Sequence, residues 1–330
     1  MVKLVDIARA SRVSNAAVSY AFSSDPAKQA KLSAAKQAKL SAATRERILQ
    51  TAARFNYRPN LTGRGFALRR SYNIALLMPV SCTRNMSGHD LGMFHGVSAG
   101  IAGSDYNLSV FFGCDGKFFD SVQSGRIDAA AVLARRTRSE AFGELAKLTI
   151  PLVFLNRPAP PGCANAAGCR SDYRGWLTDV LDDFCRRGVK NCKLYYREER
   201  YGDQEVKRLF EKLCGDRSIS GRSIRRLEFE APDHLSKEDG YIFCGSSPGI
   251  FDFIWHNRDV HYVIISEMDS YRRSSLVPEK LFYHDSEAIG RTGVEMLLSV
   301  LEHGKFPEEK RIPLIRHEYA TERASLIPEF

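Results

Sequence analysis

Apolar residues change their spacing once along this 330-residue chain. Up to residue 57 they recur at helical intervals: Leu4, Ile7 and Ala8, then Val18 and Phe22, then Ile48, Ala52 and Phe55. This spacing predicts helices over 4–10, 15–22 and 44–56. Ser14 and Ser41 stand where N-caps belong, and Ser11, Arg12 and Val13 break the first two helices apart. From residue 74 the apolar residues gather instead into short runs separated by amphipathic stretches. The runs predict strands over 74–78, 108–112, 129–133, 152–155, 193–196, 241–244 and 262–265, and the stretches predict helices over 91–103, 139–148, 176–187, 204–214 and 286–301. Strands alternating with helices make parallel sheets covered on both faces, and seven such units fit two lobes better than one sheet.

Composition locates the partner of the first part. The chain is 44% hydrophobic, enough for a packed core, and its net charge is +9. Residues 1–73 hold 14 Lys and Arg against 3 Asp and Glu, a balance of +11, so the remaining 257 residues sum to −2. A uniformly basic protein of ribosomal type is excluded; a basic module on a near-neutral body is expected, with a polyanion as its partner. No apolar run reaches 18 residues, and the N-terminus lacks an apolar signal core, so a cytoplasmic protein without membrane contact is expected.

Enzymatic and metal chemistry find little to stand on. The eight cysteines include no C-x-x-C pair and are expected to be reduced thiols in packed elements. Gly96 and Gly100 lack the spacing of a dinucleotide loop, and no phosphate-binding G-K-[ST] loop occurs. His89 and His95 are six apart and His256 and His261 five, so neither pair has the i, i+4 spacing of helical metal ligands; satisfied core or surface histidines are expected. No enzyme activity, no cofactor and no metal are expected.

Two short helices joined by a tight turn form the helix-turn-helix pattern, whose second helix enters the major groove. Here that helix would present Asn15, Ala16 and Tyr20 to base edges. The connector over 61–69 carries Arg64 and Phe66, suited to a minor groove: arginine senses its potential and a large apolar wedge unstacks a base step. An eight-residue repeat lies between the second and third helices, residues 27–34 recurring unchanged as 35–42 and adding four lysines. It is either an extension that tracks phosphates or a tandem duplication tolerated in an exposed loop.

Three segments carry a family resemblance: residues 4–8 with 13–19, residues 44–48, and Asn56-Tyr57-Arg58-Pro59-Asn60. Together they resemble the N-terminal signature of LacI/GalR-type transcriptional regulators. The resemblance implies a small all-α helix-turn-helix headpiece, a hinge helix that folds on the operator, and an α/β body of two doubly wound parallel-sheet lobes, type I periplasmic-binding-protein-like. It also implies a homodimer on palindromic double-stranded operator DNA, with Ser14, Ser19 and Asn60 holding phosphates. Arg12 replaces the glycine usual at the turn, Tyr20 a frequent arginine, and Phe66 the usual leucine wedge. The body continues the resemblance at residues 127–132, 150–155 and 288–291. Its effector residues depart from the family pattern: Ser246 and Ser247 replace Asn-Asp, and Ser266-Glu267-Met268-Asp269 replaces a Gly-Tyr-Asp-Asp turn. Asp172 and Asp269 are the effector contacts that remain, though Asp172 serves equally as an Asx-turn residue.

The expected division is a headpiece over 1–58 containing the 27–42 insertion, a hinge over 59–72 and an effector-binding, dimerising body over 73–330. The expected function is a sequence-specific regulator, a repressor by family habit, gated by a sugar or other metabolite. Two alternatives stand beside it: a regulator without a small-molecule sugar effector, and a cytoplasmic ligand-binding or sugar-metabolism protein with an incidental basic arm.

Overall fold

Ser14 Oγ accepts the Ala17 amide at 3.2 Å and Ser41 Oγ the Thr44 amide at 3.2 Å, so both expected caps are made. In a computed structural model they start α2 (Asn15–Ala21) and α3 (Ala42–Arg54), after α1 (Leu4–Ala10). The structure describes residues 2–22, 41–57, 70–84, 86–135, 141–225, 236–245, 250, 254, 256–257, 259–266 and 281–316. The chain divides into two units, Met1–Arg69 and Arg70–Phe330.

In the first unit, Ile7, Ala8, Val18, Ala21, Ile48 and Ala52 form the buried core, on the spacing read from the sequence. Phe55 is the exception. It is 38% exposed, because α3 stops at Arg54 and the chain turns away at Asn56 (φ +48). Tyr57 takes the inner place instead, edge-on to Phe22 at 5.7 Å. The α1 end turns in the same way. Val13 N donates to Ala8 O and Arg12 N to Arg9 O, a Schellman pair that puts Arg12 at φ +52.

The second unit runs β1 (Asn73–Met78), a 3-10 turn (Val80–Thr83), α4 (Gly88–Ile101), β2 (Asn107–Phe112), α5 (Gly116–Gln123), β3 (Ala129–Leu133), α6 (Ala141–Leu145), β4 (Leu152–Leu155) and β5 (Ala166–Ser171). It continues with α7 (Tyr173–Arg186), β6 (Asn191–Tyr196), α8 (Tyr201–Gly215), β7 (Ser220–Arg225), β8 (Asp239–Cys244), β9 (His261–Ser266), β10 (Leu281–His284), α9 (Ser286–His303), β11 (Lys310–Ile312) and β12 (Leu314–Arg316). The first lobe's sheet has the order β11-β5-β4-β3-β1-β2, the second's β12-β10-β9-β8-β6-β7. Among the described strands the pairings are parallel except β12 on β10, an antiparallel edge on an otherwise parallel sheet.

Side chains alternate across the first sheet as a doubly wound lobe requires. Ile74, Leu76 and Met78 face the side covered by α4 and α9, together with Ala129, Ala131, Val153 and Leu155. Ala75, Leu77, Ala130, Val132 and Phe154 face the side closed by Phe118 of α5 and Leu145 of α6. Helix α9 lies against α4 with the two backbones in contact. A Cβ on Gly290 would overlap the Met93 carbonyl oxygen and stand 3.0 Å from Val97 N, so only glycine fits there.

The chain passes from lobe to lobe after β5, after β10 and between β11 and β12, since α7 belongs to the second core and α9 to the first. Residues 70–72, read as the end of the hinge, are held by the body. The Asp128 carboxylate accepts the Ser71 and Tyr72 amides at 2.8 Å each, and Arg70 Nη1 reaches Tyr106 Oη at 3.4 Å.

Candidate nucleic-acid interface and interlobe cleft

On α2 the buried side is Val18 and Ala21; Ser14, Asn15, Ala16, Ser19 and Tyr20 are all exposed, Tyr20 at 40%. Positions 15, 16, 19 and 20 form one contiguous strip of helix surface. The strip holds an amide, a hydroxyl, a phenol and a methyl, the kinds of group that read base edges. Ser14 Oγ accepts from Ala17, which leaves its own O–H proton to donate to a phosphate oxygen. In the same unit Lys3, Arg9, Arg12 and Arg47 are exposed. Of the other expected contacts, Asn60, Arg64 and Phe66 lie outside the described residues, as do hinge positions 61–69, repeat positions 27–40, Ser246, Ser247 and Asp269.

The second site follows from the crossovers. Where β5 hands over to α7 and β10 to α9, an aspartate turns the chain: Asp172 Oδ1 accepts Gly175 N at 3.1 Å and Asp285 Oδ1 accepts Ala288 N at 2.9 Å. The two have nearly the same backbone angles, φ −82, ψ 74 and φ −74, ψ 75. Asp172 is therefore a helix cap at a crossover, the local turn that was one of its two readings. Its neighbours and those of Asp285 meet between the lobes. Ser171 Oγ lies 2.8 Å from His284 Nδ1, and Ser286 Oγ 2.7 Å from His89 Nδ1. The His89 and His284 rings stand edge to face at 5.2 Å, and Tyr173 closes on His284 at 5.7 Å. Asn156, at φ +55, accepts Ser171 N on Oδ1 at 3.2 Å and turns its amide nitrogen towards His89 Nε2 at 3.5 Å.

Ion pairs flank this polar core. Arg197 holds Asp203 bidentately, Nε to Oδ2 at 2.8 Å and Nη2 to Oδ1 at 3.0 Å, both residues buried. Arg170 of β5 reaches Glu205 of α8 at 3.1 Å, and Tyr201 N donates to Arg135 O at 3.0 Å; both bonds tie one lobe to the other. Arg157 lies between the rings of Phe142 and Tyr201, 4.4 and 4.6 Å from their centroids, and burial pulls its pKa below the usual guanidinium range. The space left among His89, Asn156, Tyr173 and His284 is about 30 Å3, room for a water and little more.

This geometry can be set beside known proteins. The lac repressor bound to ONPG in its repressed state superposes with a TM-score of 0.61 at 14% identity, over 95% of this chain and 97% of that one. The fold is that of the LacI-type repressors. The probable maltose operon repressor MalR of Staphylococcus aureus matches with a TM-score of 0.58 at 11% identity, over 77% of this chain and 99% of that one. In sequence, the probable HTH-type transcriptional repressor ExuR of Bacillus subtilis (strain 168) is 29% identical over 158 residues, 48% of this chain. The match spans 44% of that relative's own length, under half. No protein-family model matches the chain. The resemblance to LacI/GalR-type regulators read from the headpiece thus agrees with the fold of the body.

A LacI-type architecture explains why the polar residues of the cleft escaped the sequence. His89 was weighed against His95, its neighbour along the chain, whereas the fold brings it to His284 and Ser286, nearly 200 residues away. The one readable signal was an aspartate before each amphipathic stretch, at 172 and 285, marking where the chain changes lobe. Among the described residues no cluster of His, Cys, Asp or Glu could hold a metal ion, and no helix is long and apolar enough to cross a membrane.

Proposed function

We propose that this chain is a sequence-specific transcriptional repressor that binds a palindromic operator as a homodimer, its DNA affinity set by a small molecule in the body. The observation that carries the reading is the exposed strip of α2. Asn15, Ala16 and Tyr20 face outward from a capped helix-turn-helix, on the segment that holds the whole positive excess. They read the major groove, and Ser14, Ser19 and Asn60 bond phosphates. Arg64 and Phe66 read and open the minor groove. Charge alone gives affinity for any duplex; these few uncharged groups supply the preference.

The test is selection of bound sequences from random duplex DNA by the full chain at physiological salt. A palindromic consensus is expected. Recovery of duplexes without a shared sequence overturns the reading.

A second reading, a regulator without a sugar effector, is favoured by the cleft. The groups that would pair with sugar hydroxyls, His89, Asn156, Ser171, His284 and Ser286, are already bonded to one another, around about 30 Å3 of space. Thermal shifts of the full chain with a panel of sugars separate the two: a rise in Tm with one sugar, together with a changed operator affinity, would favour sugar gating.

A further inference from the structure

Three helices of the body begin around the ring pair of His89 and His284. His89, 4% exposed, is the second residue of α4, Tyr173 the first of α7 and Ser286 the first of α9. The partial positive charge of such helix ends opposes a cation among them. The hydrogen bonds of His89 also fit a neutral ring. Asn156 Oδ1 accepts the Ser171 amide at 3.2 Å, which turns the Asn156 amide nitrogen to His89 Nε2 at 3.5 Å, so Nε2 presents its lone pair to a donor. On the other side Ser286 Oγ donates to the His284 carbonyl oxygen at 3.4 Å and lies 2.7 Å from His89 Nδ1, which carries the one ring hydrogen. A second proton would set an N–H on Nε2 against the N–H of Asn156. The charged groups around this space, among the described residues, do not offset that cost. Asp90 is turned to Ser87 and Arg135, Asp203 to Arg197, and Asp172 and Asp285 cap α7 and α9, while Arg157 adds a positive charge between the Phe142 and Tyr201 rings. The other titratable groups on it are the Tyr173 and Tyr201 phenols, the Cys244 thiol and the His284 ring.

We propose that His89 is a proton-operated latch between the lobes. While it is neutral, its edge-to-face contact with His284 at 5.2 Å and the Ser171–His284 bond at 2.8 Å join α4 and β5 of the first lobe to β10 of the second. Once protonated, the ring loses the Asn156 bond, and the cation leaves the helix ends for water as the lobes part. The closed form binds fewer protons than the parted one. Closure is therefore fully favoured above about pH 6.5, where a hydrated imidazole takes its proton, and weakens as the pH falls from there. The proposal deepens the reading of a regulator without a sugar effector, its signal being the proton. It rests on that reading only for the consequence at the operator, because the latch is measured without DNA.

The experiment is a titration of the full chain between about pH 8 and pH 5. Imidazole Cε1–H resonances report protonation, with His89 assigned by its loss in His89→Gln and exposed His95, His256 and His303 as references. Opening is read from Cys244, buried against the same space, as its labelling by a thiol reagent relative to exposed Cys185, with Cys192 in the second core reporting any unfolding. In the parent, His89 is expected to take its proton at lower pH than the three references. The Cys244 ratio is expected to rise about fivefold or more towards acid while Cys192 stays protected. Asn156→Asp is expected to undo both effects. Its carboxylate still accepts the Ser171 amide and now gives His89 Nε2–H an acceptor of opposite charge, so His89 protonates above the references and the ratio stays flat. His89→Gln is expected to flatten the ratio as well. Four results overturn the latch: His89 titrates with the exposed histidines, the parent ratio is independent of pH, its rise is shared by Cys192, or either substitution leaves that rise as in the parent. A latch that behaves as expected while operator affinity is the same at both ends of the range stands, and only its use as a signal to the operator falls.

Discussion

Arg12 is a side chain in the left-handed conformation, φ +52, at the position of the helix-turn-helix where glycine is usual in the family it resembles. A residue with a Cβ is about 1 kcal/mol worse than glycine there, and the two amide bonds of the Schellman turn hold it in place regardless. Arg12→Gly is therefore expected to slow hydrogen exchange in α1 and α2 by up to about fivefold, a gain of roughly 0.5–1 kcal/mol. Faster exchange would mean that the Arg12 side chain contributes more than its backbone costs. Cysteine chemistry is set at the same scale. Burial pushes the Cys82 and Cys114 thiols up to about 11 and those of Cys169 and Cys214 up to about 12, with the Asp90 charge adding to the effect at Cys82. A raised thiol pKa means less thiolate at any pH below it, about one part in a thousand at pH 8 for a pKa of 11. Cys185, exposed, is expected to react with a disulfide reagent at pH 8 well before any of these four, and all eight in denaturant. Rapid labelling of Cys169 or Cys214 in the native protein would contradict the packing described.

Elements were legible where composition and period agreed, and missed where they did not. The runs at 74–78, 129–133 and 152–155 became β1, β3 and β4 because they are apolar on both faces, as central parallel strands must be. Strands β5 (AAGCRS) and β7 (SGRSIR) gave no signal: small and polar residues occupy them, and they pair through backbone amides. The α5 segment, at 116–123, was not among the predicted helices, although its Phe118 is fully buried. The cleft was hidden for another reason, since its hydrogen bonds join residues that only the crossovers bring together. Packing of α9 on α4 makes a sharp prediction at this scale. Gly290→Ala would force a methyl into the Met93 carbonyl, and overpacking of this kind costs about 1–3 kcal/mol. Gly143→Ala in α6 meets nothing within 4 Å, and helix propensity alone is expected to stabilise by up to about 1 kcal/mol. Urea titration of the two variants should move the midpoint in opposite directions at equal slope. A destabilised Gly143→Ala would show that α6 is not a regular helix in solution.

Over the whole molecule, the proposed function assigns charge and specificity to different residues, and the internal repeat tests how far they separate. The first 73 residues hold a balance of +11, and four of those charges are the repeat lysines Lys28, Lys31, Lys36 and Lys39. The repeat is not wholly an insertion, because its second copy ends in Ser41 and Ala42, and Ser41 is the cap of α3. The first copy ends in the same pair, Ser33 and Ala34, so removing either copy yields one and the same chain with a serine still before Ala43. Deleting eight residues therefore preserves the cap and takes away two lysines only. If those lysines sit on phosphates, the slope of log affinity against log salt should fall in magnitude by about 0.9 for each, close to 2 in all. A duplication tolerated in a loop predicts instead an unchanged slope and an unchanged preference for operator over random duplex, with the midpoint of thermal unfolding unmoved. The second outcome is the expected one, because the strip of Asn15, Ala16, Ser19 and Tyr20 stands on α2 and its cap owes nothing to the repeat. A lower slope with preference retained would assign the lysines to general affinity. Loss of preference itself would mean that the repeat helps to set the recognition helix on its groove.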